Sequence, residues 1–117
     1  MSNFNEEKVI DYLRDILDSI KIIEEHVEGI DKSEFFESIT IQDVVVRRFT
    51  IIGEVVKRVP DEVRNEYDNI PWRRIAGMRD IVVHDYDNID LDSTWKTTQK
   101  QLPKFKAEVE NILEDLE

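Results

Sequence analysis

The sequence predicts an all-α fold, an up-and-down antiparallel helical bundle in which residues 1–117 form a single domain. The length of 117 residues suits one hydrophobic core and is too short for two. Apolar side chains recur at helical spacing in three long stripes and a shorter one. Only three glycines and three prolines are present, whereas an all-β sandwich needs a turn about every ten residues.

The first long helix is predicted from an N-terminal stripe whose apolar residues follow one another at intervals of three and four. They are Val9, Leu13, Ile16, Ile20, Ile23 and Val27. Asn5 can cap the start of this helix, and Glu6 and Glu7 then lie near the positive end of the helix dipole. Gly29 is expected to end the helix.

A second stripe with the same rhythm predicts the next long helix. Its members are Ile41, Val45, Phe49, Ile52, Val56 and Val59. Pro60 should stop the helix, because proline is not tolerated in a helix interior. Ser33 and Ser38 or Thr40 are candidate caps, so Glu34–Glu37 is interpreted as a short preceding turn.

Two prolines are each expected to begin a further helix. Pro60-Asp61-Glu62 is typical of a first helical turn, with proline where its missing N–H costs nothing and acidic residues behind it. This helix should be short. After Pro71, a helix is predicted from Trp72 to about His84.

The last stripe is the longest, and it contains a proline. Its members are Leu91, Trp95, Thr98, Leu102, Phe105, Val109, Ile112 and Leu116. Pro103 should kink or break the helix at Leu102, because its ring removes a backbone hydrogen bond and clashes with the preceding turn.

Short connections between these stripes favour neighbouring helices that run antiparallel. One continuous coiled coil is disfavoured, because Gly29, Pro60 and Pro71 interrupt any heptad repeat. The large aromatic residues lie on the apolar stripes and are therefore interpreted as core anchors rather than base-stacking platforms. They are Phe49, Trp72, Trp95 and Phe105.

Composition excludes several classes of protein and of site. Cysteine is absent, which excludes disulfide scaffolds, thiolate zinc sites and cysteine nucleophiles, and suits a reducing cytoplasm. With 40% hydrophobic and 37% charged residues, the chain is too apolar for a disordered protein and too charged for a membrane protein. Met1–Asn5 shows neither the basic region nor the apolar stretch of a signal peptide. We therefore expect a soluble, cytoplasmic protein.

Charge is distributed unevenly along the chain. The net charge of −11 repels nucleic acid and anionic membranes on average. From Arg47 to Arg79, however, eight basic and five acidic side chains leave a local balance of +3. This basic middle could face a phosphate backbone. The alternative is that its arginines are ordinary solvated helix faces.

Residues 79–86, Arg-Asp-Ile-Val-Val-His-Asp-Tyr, concentrate the candidate catalytic groups. The sequence has no glycine-rich phosphate loop and no pair of histidines at metal-ligand spacing. His26, near the end of the first helix, is interpreted as a cation at the negative end of the helix dipole. The segment combines the fixed cation of Arg79, a candidate general base in His84 and the phenol of Tyr86.

Helical geometry restricts how these groups can meet. On a continuous helix Asp80 would lie under His84, where it could orient the imidazole and raise its pKa. Arg79 would lie about 140° around the helix from His84, so one regular helix does not aim both at one point. Either the helix loosens near His84, or the site also draws side chains from a second chain, as a symmetric dimer would allow.

These groups suit metal-free cleavage of RNA. A histidine that titrates near neutrality can take the proton of the ribose 2′-hydroxyl or protonate the leaving oxygen. An arginine can neutralise the charge that gathers on the phosphorane. The spacing alone is equally typical of a charged helix end, with His84 complementing the helix dipole.

The chain resembles the HEPN-domain family, and more narrowly the HepT toxins of prokaryotic toxin–antitoxin pairs. Arg79-x-x-x-x-His84-x-Tyr86 matches the signature of that family. Ile51-Ile52-Gly53-Glu54 with the basic run after it, and the segment from Ile70 to Arg79, are similar to family segments in the same order. The resemblance covers essentially the whole chain.

The resemblance implies a homodimeric helical bundle whose ribonuclease site lies in the cleft between protomers and needs no metal or other cofactor. Arg79 and His84 would be the catalytic pair, and Asp80 would occupy the polar position after the arginine. The expected partners are RNA and an MntA-like antitoxin, a minimal nucleotidyltransferase that transfers AMP to Tyr86; neither DNA nor a membrane is expected.

Two other functions remain open at this stage. The chain could be a non-catalytic nucleotide-binding or substrate-binding partner of a minimal nucleotidyltransferase, in which Arg79 and His84 hold phosphate without performing chemistry. It could also be a dimerisation module, in which replacing either residue would affect stability alone.

Overall fold

The structure, a computed structural model, describes residues 4–85 and 88–117, with the backbone alone for 84 and 85. Within these residues lie eight α-helices, one π-helical segment and a two-stranded β-hairpin. The helices are α1 Glu6–Val27, α2 Lys32–Glu37, α3 Ile39–Val56, α4 Asp61–Glu66, α5 Trp72–Ala76, α6 Met78–Val82, α7 Leu91–Lys96 and α8 Leu102–Leu116. The π-helical segment is Thr97–Gln101, and the strands are β1 Val83–Asp85 and β2 Asn88–Ile89.

The long helices α1, α3 and α8 form the bundle, and the predicted all-α fold is confirmed. Every member of the stripe predicted for α1 is buried. Two ion pairs fix the direction of α8 against α1, each joining an early residue of one helix to a residue near or beyond the end of the other. Arg14 lies 3.1 Å from Glu117, and Lys106 lies 3.1 Å from Glu24. The two helices therefore run antiparallel.

The predicted helix ends are largely confirmed. The Asn5 side chain accepts a hydrogen bond from the Lys8 N–H at 3.2 Å, and Gly29 has a positive φ of 77° just after α1. Ser38 caps α3. Ser33 is not a cap, because α2 begins earlier, at a capping box formed by Asp31 and Glu34.

Helix α3 ends at Val56, before the predicted stop at Pro60, and an arginine covers its exposed carbonyls. Arg64 donates to the Val56 carbonyl at 2.7 Å and to the Val59 carbonyl at 3.0 Å. Carbonyl groups in the last turn of a helix have no partner within the helix. One of the eight basic residues of the middle segment is thus structural.

The helix predicted from Trp72 to about His84 is two short helices that meet at Gly77. A close approach holds this elbow, α5–Gly77–α6, against α3. A Cβ placed on Gly53 would lie 2.6 Å from the backbone oxygen of Ala76, closer than real Cβ atoms come to other atoms. Glycine is therefore required at position 53 for α3 and the elbow to pack as they do.

A β-hairpin that the sequence analysis did not predict follows α6. Strands β1 and β2 pair antiparallel, and the Asp90 N–H donates to the Val82 carbonyl at 2.6 Å. The β-branched run Ile81-Val82-Val83 favours extended backbone, and Val83 adopts φ −112° and ψ 110°. The hairpin joins the end of α6 directly to the start of α7.

Pro103 interrupts the last helix at the predicted place, but the helix widens rather than breaks. The Leu102 N–H donates to the Thr97 carbonyl five residues earlier, which is the π-helical pattern. Regular α-helix resumes at Leu102 with Pro103 in its first turn, where the missing N–H is tolerated. The chain therefore continues along one direction through the proline.

The aromatic residues predicted as core anchors lie in or against the core. Phe49, Trp72 and Phe105 are buried, and the Trp72 and Phe105 rings meet edge to face at 6.1 Å. Trp95 is half-buried, with its ring 5.4 Å from Phe35. No helix in the described part of the chain is both long and apolar enough to cross a bilayer.

We predict that Gly53→Ala lowers the free energy of unfolding by about 1 kcal/mol or more, measured by urea denaturation. The added methyl clashes with the Ala76 carbonyl, which outweighs the roughly 1 kcal/mol by which alanine is the better helix former. Gly77→Ala is the matched control. Its φ is −99°, and its Cβ would meet backbone atoms no closer than 3.7 Å, so it should cost nothing. A Gly53→Ala protein as stable as the wild type would contradict this packing.

Candidate active site

Arg79 lies on the exposed surface of α6, with 51% of its side chain accessible. Among the described side chains, its nearest carboxylate is that of Asp80, whose Oδ1 lies 3.8 Å from an arginine NH group. Asp80 is itself 84% exposed. An ion pair this long between exposed groups contributes little to stability. The described side chains therefore leave the Arg79 guanidinium open to an anionic ligand.

The predicted stacking of Asp80 under His84 on a continuous helix is wrong. Helix α6 ends at Val82, two residues before the histidine, so the four-residue helical spacing does not bring the two residues onto one face. Asp80 instead lies beside Arg79. The same helix end removes His84 from the last turn of α6, where it would complement the helix dipole.

His84 occupies an irregular position in the hairpin. Val83 pairs with Ile89, and Asp85 pairs with Asn88. His84 lies between the two paired residues of β1, whereas Asn88 and Ile89 are adjacent on β2. His84 is therefore the extra residue of a β-bulge. Bulges bend a strand, re-aim side chains, and are over-represented next to active sites.

The backbone loosens between Arg79 and His84, as in the first of the two alternatives, and the contribution of a second chain stays a prediction. The helix stops between them, and the 140° separation expected on a regular helix no longer applies. Tyr86, the predicted modification site, lies outside the described residues.

The basic middle segment divides into structural and exposed cations. Arg64 caps α3, Lys57 pairs with Glu54 at 3.3 Å, and Arg79 lies beside Asp80. Among the side chains that the structure describes, those of residues 4–83 and 88–117, the other members have no carboxylate at ion-pair distance. They are Arg47, Arg48, Arg58, Arg73 and Arg74. These five exposed or half-buried arginines leave both the phosphate-facing and the solvated interpretation open.

Two other tyrosines are described. The Tyr67 hydroxyl donates to the Asp115 carboxylate at 2.6 Å. Burial, this hydrogen bond and the charges of Asp115 and Glu66 raise the pKa of Tyr67 to about 12. A phenol held protonated in this way is a poor nucleophile. Tyr12 is half-buried against the core.

No group of three or more His, Asp or Glu residues that could hold a metal ion occurs in the described ranges. His26, the other histidine, is exposed, and its Nδ1 lies 2.7 Å from the Ile22 carbonyl in its own helix. Its position in the last turn of α1 agrees with its interpretation as a helix-end cation.

Comparison with known protein families shows which family the chain belongs to. A family model described as "Ribonuclease HepT-like" matches residues 16–112, which include α6, the bulge and most of the bundle. The chain belongs to the HepT-like ribonuclease family. This membership confirms the predicted family, and with it the predicted enzyme class. It does not test the roles of Arg79, His84, Asp80 or Tyr86.

Several curated proteins are similar to this HepT-like chain. "Gamma-glutamylcyclotransferase and putative RNase MJ0434" of Methanocaldococcus jannaschii is 44% identical over 91% of the chain, which spans only 48% of that protein. "Putative RNase MJ0125" of the same organism is 37% identical, with 91% of each protein covered. "Probable ribonuclease HepT" of Thermococcus cleftensis is 36% identical over 87% of this chain and 93% of its own length. No solved structure matches the chain significantly.

Proposed function

We propose that this protein is the toxin of a prokaryotic toxin–antitoxin pair and that it cleaves RNA without a metal. The supporting observation is that a member of a ribonuclease family carries Arg79 on an exposed helix end and His84 on the bulge directly after it. The two groups belong to neighbouring elements rather than to one helix face. Family membership supports the reaction class, and the motif supports the choice of residues.

The proposed reaction uses the ribose 2′-hydroxyl as an internal nucleophile. His84 takes the 2′-hydroxyl proton as the oxygen attacks phosphorus, and an imidazolium returns a proton to the departing 5′-oxygen. The products are a 2′,3′-cyclic phosphate and a 5′-hydroxyl. Arg79 stabilises the extra negative charge on the phosphorane.

We place this site in the cleft of a homodimer. One imidazole cannot be base and acid at once, whereas a twofold axis would bring two copies of His84 and two of Arg79 to one cleft. One histidine would then accept the proton and the other would donate it. The exposure of Arg79 on the single chain is consistent with a site completed by a second chain.

The proposed partner is a minimal nucleotidyltransferase antitoxin that silences the toxin by adenylating Tyr86. The Tyr86 oxygen would attack the α-phosphorus of ATP, form a phosphodiester and release pyrophosphate, while the phenol proton passes to a base. Each adenylate adds a negative charge and bulk two residues from His84. Both effects would repel and block the RNA phosphate backbone.

His84→Ala should lower the rate of RNA cleavage about 100-fold or more, since general acid–base catalysis contributes that much. Arg79→Ala should lower it by a similar factor through lost charge stabilisation. The assay follows a labelled RNA oligonucleotide in the presence of EDTA, with circular dichroism to show that helical content is unchanged.

His26→Ala is the matched control, because it removes the other histidine, which is exposed in the last turn of α1. It should cleave RNA at the wild-type rate. Equal cleavage by His84→Ala and wild type would reject the catalytic assignment. A wild-type protein that binds nucleotides yet never cuts RNA would favour the alternative, a non-catalytic binding partner of a nucleotidyltransferase.

Tyr86→Phe should remain folded and active but gain no adenylate when incubated with the antitoxin and ATP, as measured by intact-protein mass spectrometry. Tyr67→Phe and Tyr12→Phe are the controls, and both should be modified like the wild type. The raised pKa and the Asp115 hydrogen bond of Tyr67 make it a poor acceptor of the adenylate. Adenylate mass increments on the Tyr86→Phe protein would show that another residue is modified.

A further inference from the structure

A cleft of about 310 Å³ separates α5 and α6 from the π-helical segment and α8. Its floor is apolar. It consists of the buried side chains of Ile75, Met78 and Phe105 and the half-buried side chain of Ile81. This volume is at the lower end of the range in which proteins bind small molecules. The cleft shares α6 with Arg79, but nothing in the proposed cleavage reaction uses it.

The mouth of the cleft carries two cations. Arg74 and Lys104 are exposed at opposite walls, and neither has a carboxylate at ion-pair distance among the described side chains of residues 4–83 and 88–117. The two cations thus flank an apolar opening in a chain whose net charge is −11. They favour a ligand that combines an apolar body with a negative charge.

The π-helical segment forms one wall and supplies polar groups. Thr97 and Gln101, the first and last residues of this segment, both line the cleft. π-Helical turns inside α-helices are rare and are found frequently at functional sites. The exposed Gln101 amide offers both a donor and an acceptor, and Glu108 is the single carboxylate of the lining.

We propose that this cleft binds one nucleobase of the RNA substrate, while the adjoining phosphates lie against Arg74 and Lys104. A base has an apolar face for the Phe105 floor and a polar edge for Gln101, and single-stranded RNA is recognised through these two features. Glu108 can only accept hydrogen bonds when ionised. It therefore favours bases with an exocyclic amino group over uracil, whose N3–H donor lies between two carbonyl oxygens. The proposal rests on the proposed function, because RNA supplies the ligand.

The position of the cleft relative to Arg79 fixes how the strand would run. Met78 and Ile81 face the cleft, whereas Arg79 lies about 130° around α6 from the direction midway between them. The strand would therefore cross α6, which is about 10–12 Å wide with its side chains, between the cleft and Arg79. The bound base is then not attached to the scissile phosphate, and the cleft sets sequence preference rather than rate.

The test measures direct binding of nucleoside 5′-monophosphates. NMR signals of the methyl groups of Ile75, Met78 and Ile81 report the binding. AMP, CMP and GMP should shift these methyl signals in a saturable manner, and UMP should bind most weakly. Lys104→Ala should weaken binding about tenfold, the loss expected for one charge-assisted hydrogen bond. Lys100→Ala removes the same charge from a position outside the cleft lining and should leave affinity unchanged.

Two further variants test the placement and the selectivity. Gln101→Trp should fill the mouth and abolish the shifts, whereas Gln99→Trp, a control on the same segment that does not line this cleft, should not. Glu108→Gln should raise the affinity for UMP relative to the other three nucleotides, because an amide can donate to a uracil carbonyl.

The outcomes distinguish failure of the cleft proposal from failure of the proposed function. RNA cleavage by a protein whose cleft methyls do not respond to any nucleotide would overturn the cleft proposal and leave the proposed function intact. Saturable methyl shifts without RNA cleavage would retain a nucleotide-binding cleft and reject the proposed function. Equal affinity for all four nucleotides would overturn the assignment of Glu108 to base selection.

Discussion

The candidate site depends on the close approach of α3 to the elbow between α5 and α6. Gly53 brings the Ala76 carbonyl to where a side chain would otherwise stand, and the elbow turns at Gly77 immediately afterwards. Arg79 is two residues beyond this turn, so its position follows from a backbone contact rather than from the apolar stripe. A larger residue at position 53 would displace the element that carries the arginine.

The end of α6 has a second consequence for the chemistry. A helix that continued to His84 would fix the histidine and Arg79 about 140° apart and would align Asp80 with the histidine. The helix ends at Val82 instead, and the bulge in β1 gives His84 a backbone direction independent of α6. In the proposed dimer, catalysis by the two groups would depend on how the hairpin lies against the second chain.

The sequence was sufficient for features that repeat or that depend on neighbouring residues. The stripe of α1, its Asn5 cap and the position of the interruption at Pro103 all follow from local physical rules. The clearance at Gly53 depends on a contact between segments distant in sequence, and the bulge at His84 depends on how two short strands pair; no periodicity records either feature. The π-helical widening is predictable only in part. Pro103 locates the interruption, whereas the continuity of the helix through it accompanies the packing of α8 on α1, which the stripe alone does not give.

The central claim is that Arg79 and His84 act together across two chains. The most direct measurement is RNA cleavage by a mixed dimer of one wild-type and one His84→Ala chain, carrying different tags and purified through both. A site within a single chain would be intact once in this dimer and would keep about half of the wild-type activity, whereas a cleft that uses one histidine as base and the other as acid has lost one of them. The account predicts that the mixed dimer loses activity about 100-fold or more, like the His84→Ala homodimer. A mixed dimer with about half of the wild-type activity would contradict it.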